Sequence, residues 1–304
     1  NGCLADDMGL GKTMQVIAAL ILEKEAGKTG PTLLIAPTSV IGNWQKEIEK
    51  FAPHLKTHIH HGAGRESDKK SFNKLCSEQD MLITSYTLAR KDALLLTAVT
   101  WHRVVLDEAQ NIKNPKAAQT KAILKLKAPH RLALTGTPVE NRLMDLWSIF
   151  NFLNPNYLGK QAQFRKNYEL PIQRNNNRVQ SAVLKQLIQP FILRRLKTDK
   201  SIIKDLPDKI ENKQYCNLSK EQAALYQAVV QEVEATLEES EGIERQGLML
   251  STLMKLKQIC NHPAQFLQDE SPFTVERSHK LERVADMLSE AISDGDSLLI
   301  FTQF

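Results

Sequence analysis

Leu4–Thr13 reads LADDMGLGKT, and the fold turns on whether this stretch is a phosphate-binding loop. The pattern G-x-x-x-x-G-K-[ST] is met at Gly11, Lys12 and Thr13, but its first glycine position holds Asp6. A phosphate loop works because successive backbone N–H groups point inward, a helix begins with its positive dipole end at the anion, and a lysine adds a point charge. Gly9, Gly11, Lys12 and Thr13 supply those parts: the glycines allow close backbone approach, and the Thr13 hydroxyl suits a magnesium ion. On these residues alone, the alternative is a glycine-rich helix start.

Downstream, short apolar runs alternate with helical periodicity. TLLIAPT (Thr32–Thr38), DMLITSY (Asp80–Tyr86), HRVVLDE (His102–Glu108) and HRLALTGT (His130–Thr137) are each followed by a polar turn and read as strands. Fully apolar strands imply burial on both faces, as in a parallel sheet covered by helices. Met14, Ile17, Leu20 and Ile21 after Thr13, and Val40, Trp44, Ile48 and Phe51 after Ser39, recur at helical spacing and provide the covers. The expectation is a doubly wound α/β domain with ligands at the carboxyl ends of the strands.

Beyond Thr137, Asn141–Leu153 and Ala182–Leu193 read as helices separated by a polar loop at Arg174–Arg178. Ser219–Gln222 (SKEQ) is a capping box, and Leu225, Val229, Val233 and Leu237 follow on one helix face. A last helix carries Leu281, Val284, Ala285, Leu288 and Ile292; after Asp294-Gly295, SLLIFTQF reads as a core strand. This helix-turn-strand order resembles the opening of a second α/β domain. A boundary is expected near Ile202–Glu211, around Pro207, giving units 1–200, with a helical protrusion at about 140–200, and 201–304. Opening without a methionine and stopping in an apolar run, the chain reads as an excerpt of a longer protein.

A second motif removes most of the ambiguity in the first. VVLDEAQ (Val104–Gln110) is an apolar strand ending in two carboxylates. The first can hold magnesium, and the second can orient or deprotonate an attacking water.

Taken in order, LADDMGLGKT, LLIAPTSVIGNWQKEIEKF, MLITSY, VVLDEAQNIKN, LALTGTPVEN, FILRRLKTD, LMKLKQICNHP and SLLIFTQF resemble the Swi-Snf-related ATPases of helicase superfamily two, over essentially the whole chain. In that family an acid commonly precedes M-G-L-G-K-T, so Asp6 fits. The resemblance implies a RecA-like doubly wound first lobe with helical insertions, followed by the helical start of a second RecA-like lobe. It implies ATP and Mg²⁺ as cofactors, with Lys12 on the terminal phosphates, Thr13 and Asp107 on the metal, and Glu108 as catalytic base. The cradle would be Met8, Gly9, Leu10, Gly11, Lys12, Thr13 and Met14. Pro37, Thr38, Ser85 and Tyr86 resemble positions that touch the sugar-phosphate backbone of a duplex. Thr135, Gly136 and Thr137 would couple nucleotide state to lobe movement and nucleic-acid contact.

The implied function is an ATP-driven translocase on double-stranded DNA that remodels protein–DNA complexes, with DNA-bound protein complexes as further partners. The alternatives are a strand-separating or RNA helicase, or a nucleotide-binding docking module without turnover. DEAQ and TGTP differ from the DEAD and SAT forms typical of RNA unwinding enzymes. Second-lobe arginines complete such sites, and an arginine finger is worth about 10³–10⁵ in rate, so the excerpt alone is expected to turn over poorly.

Composition bounds these readings. A net charge of +5 on 304 residues is too mild to demonstrate a polyanionic partner. Its distribution is more telling: between Glu108 and Glu140 there is no acid, while Lys113, Lys116, Lys121, Lys125, Lys127 and Arg131 occupy the interval. Lys113 and Lys116, beside the acid motif, are candidates for duplex phosphates, with a solvated face as the alternative. Arg194, Arg195 and Lys197 pose the same choice, and the two arginines are assigned to structure or interlobe contact, because FILRR reads as the end of an apolar helix. Four scattered cysteines fit reduced thiols in an intracellular setting, cytoplasmic and nucleoid-associated or nuclear according to the source. No apolar run approaches the roughly 18 residues of a membrane span, so no membrane partner is expected. His58, His60 and His61 read as a surface strand without partnering acids, Cys260 and His262 as packing at a helix end, and Trp44 as core.

Overall fold

Each of the four apolar runs forms a strand in the computed structural model, which describes residues 1–27, 30–136, 142–202, 207, 209–239 and 242–304. The sheet contains β1 (Gly2–Leu4), β2 (Thr32–Ala36), β3 (Thr57–His60), β4 (Met81–Ser85), β5 (Arg103–Leu106), β6 (His130–Leu134) and β7 (Ile192–Leu193). Their order is β3-β4-β2-β5-β6-β1-β7, and every pairing is parallel. All five residues of β2 and all five of β4 are buried, as two-sided coverage requires.

Alternate residues go to opposite faces of the sheet. Leu33, Ile35, Val104 and Leu106 join one core cluster, and Leu34, Ala36 and Val105 join the other. The second face is covered by α1 (Lys12–Glu25) and α2 (Thr38–Phe51) through Val16, Ile17, Leu20, Ile41, Trp44 and Ile48. The first face takes α3 (Lys69–Ser77), α4 (Tyr86–Lys91), α5 (Ala93–Ala98), α6 (Ala118–Leu124) and α7 (Leu143–Leu153). Beyond α7, the helices α8 (Gln161–Phe164), α9 (Leu170–Asn175) and α10 (Arg178–Ile188) share a satellite core of Leu146, Trp147, Phe150, Phe164 and Leu184.

Contacts divide the chain into two compact units, Asn1–Pro207 and Asp208–Phe304. The second holds α11 (Lys220–Glu239), α12 (Gly242–Asn261), α13 (Pro263–Leu267) and α14 (His279–Ser293). Its capping box is formed: the Ser219 amide donates to Gln222 Oε1 at 3.0 Å, and the Gln222 amide donates to Ser219 Oγ at 3.2 Å. Val229, Val233 and Ile259 form its small core, with Leu225 packed against them; the side chain of Leu237 lies outside the described set. Among the described residues no helix is long and apolar enough to cross a membrane.

Several expectations are corrected. FILRR is not the end of a helix: α10 stops at Ile188, and Ile192 and Leu193 pair with Cys3 and Leu4 as β7. The polar stretch at Arg174–Arg178 is mostly helical, because α9 runs to Asn175, which is followed by Asn176 in the left-handed region, and α10 begins at Arg178 under an Asn177 cap. Ser297–Phe304 forms no strand, since it meets no ladder partner among the described residues, and Phe301 is exposed. His60 is not a surface residue. It is fully buried, its Nε2 lies 3.0 Å from Asp92 Oδ2, and Arg65 Nε donates to the same oxygen at 2.7 Å. Burial lowers the His60 pKa against the opposing pull of Asp92.

Candidate nucleotide site at the strand ends

Three adjacent strands, β5, β6 and β1, deliver the chemistry-bearing residues at their carboxyl ends. After β1 the chain turns through Asp6–Gly11 into α1. Gly9 has φ 83° and Gly11, the residue before the helix, has φ 71°, a region that residues with a Cβ enter only at a cost. At Gly9 an added Cβ would also sit 3.0 Å from Lys197 Nζ.

Asp6 is fully buried beneath the loop, and Arg195 grips it. Arg195 Nε lies 3.1 Å from both carboxylate oxygens, Nη2 donates to Oδ2 at 2.5 Å, and the Arg195 amide donates to Oδ1 at 2.9 Å. Gln15 accepts from Arg195 Nη2 at 2.7 Å and donates to the Leu10 carbonyl at 3.1 Å, tying the pair to the first turn of α1. Burial alone would raise the Asp6 pKa; the arginine outweighs it, and the net shift is downward. Arg194 approaches Asp7 at 3.7 Å, and the Lys197 amide donates to Asp7 Oδ2 at 3.0 Å. These residues therefore brace the loop from within the first unit. Lys12 Nζ donates to the carbonyls of Asp6 and Asp7 at 2.8 and 3.2 Å.

The second arm is the end of β5. Asp107 Oδ2 accepts from the Trp44 indole N–H at 2.7 Å, and Oδ1 accepts from the Glu108 amide at 2.9 Å. Burial raises the Asp107 carboxyl above its ordinary value and the Glu108 charge adds to this, while the Trp44 and backbone donors and the Lys12 ammonium oppose it. Glu108 has φ 49°, a left-handed conformation that a non-glycine residue holds only when its surroundings impose it. Gln110 supplies part of that imposition: its amide donates to Glu108 Oε2 at 2.8 Å, and its Oε1 accepts from Thr135 Oγ1, beyond β6, at 2.9 Å. Tyr86, buried under the turn, donates to the Asp107 carbonyl at 2.7 Å, and burial pushes its pKa well up.

These arms face one cleft of about 700 Å³, lined by Met8, Gly9, Gly11, Lys12, Thr13, Met14, Asp107 and Glu108, and on the α2 side by Asn43, Trp44 and Lys46 among others. Of the expected cradle only Leu10 stays out of the lining; its amide turns back to the Asp7 carbonyl at 3.3 Å. The residues expected to touch a duplex are more dispersed. Thr38, Lys113 and Lys116 are exposed, and Pro37 and Gly136 are half-buried. Thr135 is buried, and Thr137 lies outside the described residues. Ser85 and Tyr86 turn inward instead: Ser85 Oγ accepts the Leu88 amide at 3.3 Å as the cap of α4, and the Tyr86 hydroxyl is committed to Asp107. Of the basic interval, Arg131 also points inward, to the carbonyls of Phe152 and Leu126 at 2.7 and 2.8 Å.

Reading the sequence missed Gln15, Trp44 and Gln110 as parts of this site. The only advance signal was position, since Gln110 closes the acid motif and Trp44 lies six residues past Thr38.

Residues 1–265 match the model of the SNF2-related domain. The chain belongs to the SNF2-related family. Among its relatives is YwqA of Bacillus subtilis, named as an ATP-dependent helicase/translocase, which is 46% identical over all of this chain and 33% of its own length. The TATA-binding protein-associated factor MOT1 of Saccharomyces cerevisiae is 34% identical over 95% of this chain and 16% of its own. The chain thus spans a third or less of these curated relatives. The Sulfolobus solfataricus SWI2/SNF2 ATPase core, solved in complex with dsDNA, superposes with a TM-score of 0.62 at 46% identity, covering 100% of this chain and 62% of that one. The parallel sheet with its flanking helices is accordingly the RecA-like sheet of an SNF2 core.

Proposed function

We propose that this SNF2-related chain binds ATP in the cleft between the glycine loop and the β5 acids, and that it serves an ATP-driven translocase on double-stranded DNA that remodels protein–DNA complexes. The observation that carries the reading is the convergence of Gly9, Gly11, Lys12, Thr13, Asp107 and Glu108 on one cleft. The Lys12 ammonium, held by two loop carbonyls, would exchange them for phosphate oxygens, which return a full charge for two dipoles.

Asp107 and the Thr13 hydroxyl are hard oxygen donors of the kind magnesium takes. Among the described residues, Asp107 has no cationic partner within ion-pair distance, so a divalent ion fits there. Bound, the ion would neutralise charge on the phosphates. Glu108 would orient the attacking water and take its proton as the oxygen bonds to the γ-phosphorus and the bond to the β–γ bridging oxygen breaks. Gln110 holds that carboxylate and links it to Thr135, so a disturbance at the end of β6 reaches the base through two hydrogen bonds.

The duplex as substrate rests on the dsDNA complex of the Sulfolobus core and on the exposure of Thr38, Lys113 and Lys116. ATP hydrolysis measured with duplex DNA, single-stranded DNA and RNA tests it. Stimulation by duplex is expected; stimulation by RNA alone overturns it in favour of an RNA helicase.

A further inference from the structure

We infer that Trp44 is a positioning residue for the metal-binding carboxylate: its indole N–H fixes Asp107 so that the free lone pairs of that acid face the nucleotide cleft. The inference rests on the nucleotide reading above and extends it to a residue of α2.

The chain has three tryptophans, and they are used differently. Trp101 donates to the Leu96 carbonyl at 2.8 Å and Trp147 to the Gly159 carbonyl at 3.0 Å, both ordinary ways of satisfying a buried indole. Trp44 alone donates to a carboxylate, at 2.7 Å, and it alone of the three lines the cleft. The residue is 2% exposed and packed among residues of α1 and the sheet, so the close packing of the core holds the donor in place. Together with the Glu108 amide on Oδ1, one donor on each oxygen sets the tilt of the carboxylate plane.

The choice of donor matters. An indole N–H has no acceptor capacity and carries no charge. It therefore orders the acid without neutralising it, whereas a lysine or arginine in the same place would compete with a divalent ion. Groups that orient a metal ligand in this way typically change metal affinity or activity by about 10–100-fold when removed. Packing alone would predict no such effect, since Phe fills most of the same space.

The test compares Trp44→Phe with the parent chain by binding of a fluorescent ATP analogue, titrated with MgCl₂ and repeated in EDTA, alongside thermal melting. The expected result is a rise of about tenfold in the Mg²⁺ concentration at half-maximal binding, with binding in EDTA changed less than twofold. A second measurement needs no change at position 44. In the chain labelled with ¹⁵N-tryptophan, one of the three indole N–H signals should move as MgCl₂ and a non-hydrolysable ATP analogue are added, and that signal should be the one displaced by Asp107→Asn. An unaltered Mg²⁺ midpoint in a folded Trp44→Phe chain, or indole signals that ignore Mg²⁺ while nucleotide binds, overturns the assignment and leaves the nucleotide site standing. Failure of the parent chain to bind nucleotide under any condition overturns both.

Discussion

Asp6 and Asp107 follow two strands of one sheet, β1 and β5, separated only by β6, yet they are served in opposite ways. Asp6 is enclosed and receives a guanidinium through several hydrogen bonds. Among the described residues, the donors to the Asp107 carboxylate are neutral N–H groups, and the Lys12 ammonium acts on it through its field without touching it. A buried carboxylate with a matched cation is finished; it holds structure together, and its pKa falls. A buried carboxylate given orientation but no cation in contact sits above its ordinary pKa, because burial outweighs the field of the Lys12 ammonium, and it retains a demand for a cation. Sequence proximity to the glycine loop therefore misleads about role: Asp6, inside LADDMGLGKT, is structural, and the distant Asp107 is the candidate ligand.

The largest effect separating the two arms belongs to Glu108, beside Asp107. Glu108→Gln is expected to lower ATP turnover by roughly 10²–10⁴-fold, the range of a lost general base, while retaining nucleotide. Lys12→Ala should lose binding instead. Single-turnover hydrolysis and equilibrium binding, measured on the same preparations, read the two effects apart; turnover equal to the parent in either variant removes the role assignment.

The comparison predicts a stability asymmetry next. Arg195→Met leaves the enclosed Asp6 charge with neutral donors and no cation, and should cost about 3–5 kcal/mol. Asp6→Asn leaves a partly exposed arginine that water can serve, at a cost of about 2 kcal/mol. Asp107→Asn should move the unfolding midpoint far less than either while abolishing the Mg²⁺ dependence of nucleotide binding. The pH dependence follows from the same pair. The Asp6 pKa is lower in the folded state than its unfolded value of about 3.9, so the stabilisation is present above about pH 4 and disappears as pH falls through the folded value. Urea melts of the parent and Asp6→Asn should therefore converge in acid and diverge near neutrality. Parallel curves would mean that Asp6 is not the anchor.

A smaller effect is expected at Gln110, which joins the acid arm to β6. Gln110→Ala should reduce duplex-stimulated turnover about 5–10-fold, the scale of a modest coupling energy, with nucleotide affinity retained. Equal loss of basal and stimulated rates would make Gln110 a support for Glu108 and nothing more.

These contrasts also explain how much of the molecule was legible beforehand. The parallel sheet and the two arms of the cleft could be read because each is a contiguous stretch whose composition reports its environment: apolar runs for strands, glycines where φ is positive, and paired acids at a strand end. What completes the arms is tertiary. Arg195 is 189 residues from Asp6, and the two-residue strand that carries the chain to it is too short to show any periodicity. Trp44 has the spacing of a core residue and is one; only its N–H reveals the second use. His60 and Asp92 are 32 residues apart, and their pairing follows from the placement of β3 at the sheet edge, which no local pattern announces.

The smallest expected effect concerns the surface beyond the acid arm. Lys116 is exposed, past the turn Ala109–Ile112 that follows Glu108, and the intervening stretch carries no acid. If this surface follows the backbone of a duplex, each phosphate contact displaces about 0.9 counterion, so Lys116→Ala should lower the slope of log affinity against log salt by about 0.9 and weaken binding evenly across sequences. A solvated face would leave that slope unchanged, because a lysine in bulk water releases no condensed ions on binding. Measuring duplex affinity at four or so salt concentrations decides it, and an unchanged slope confines the acid-free stretch to solubility while leaving the cleft as argued.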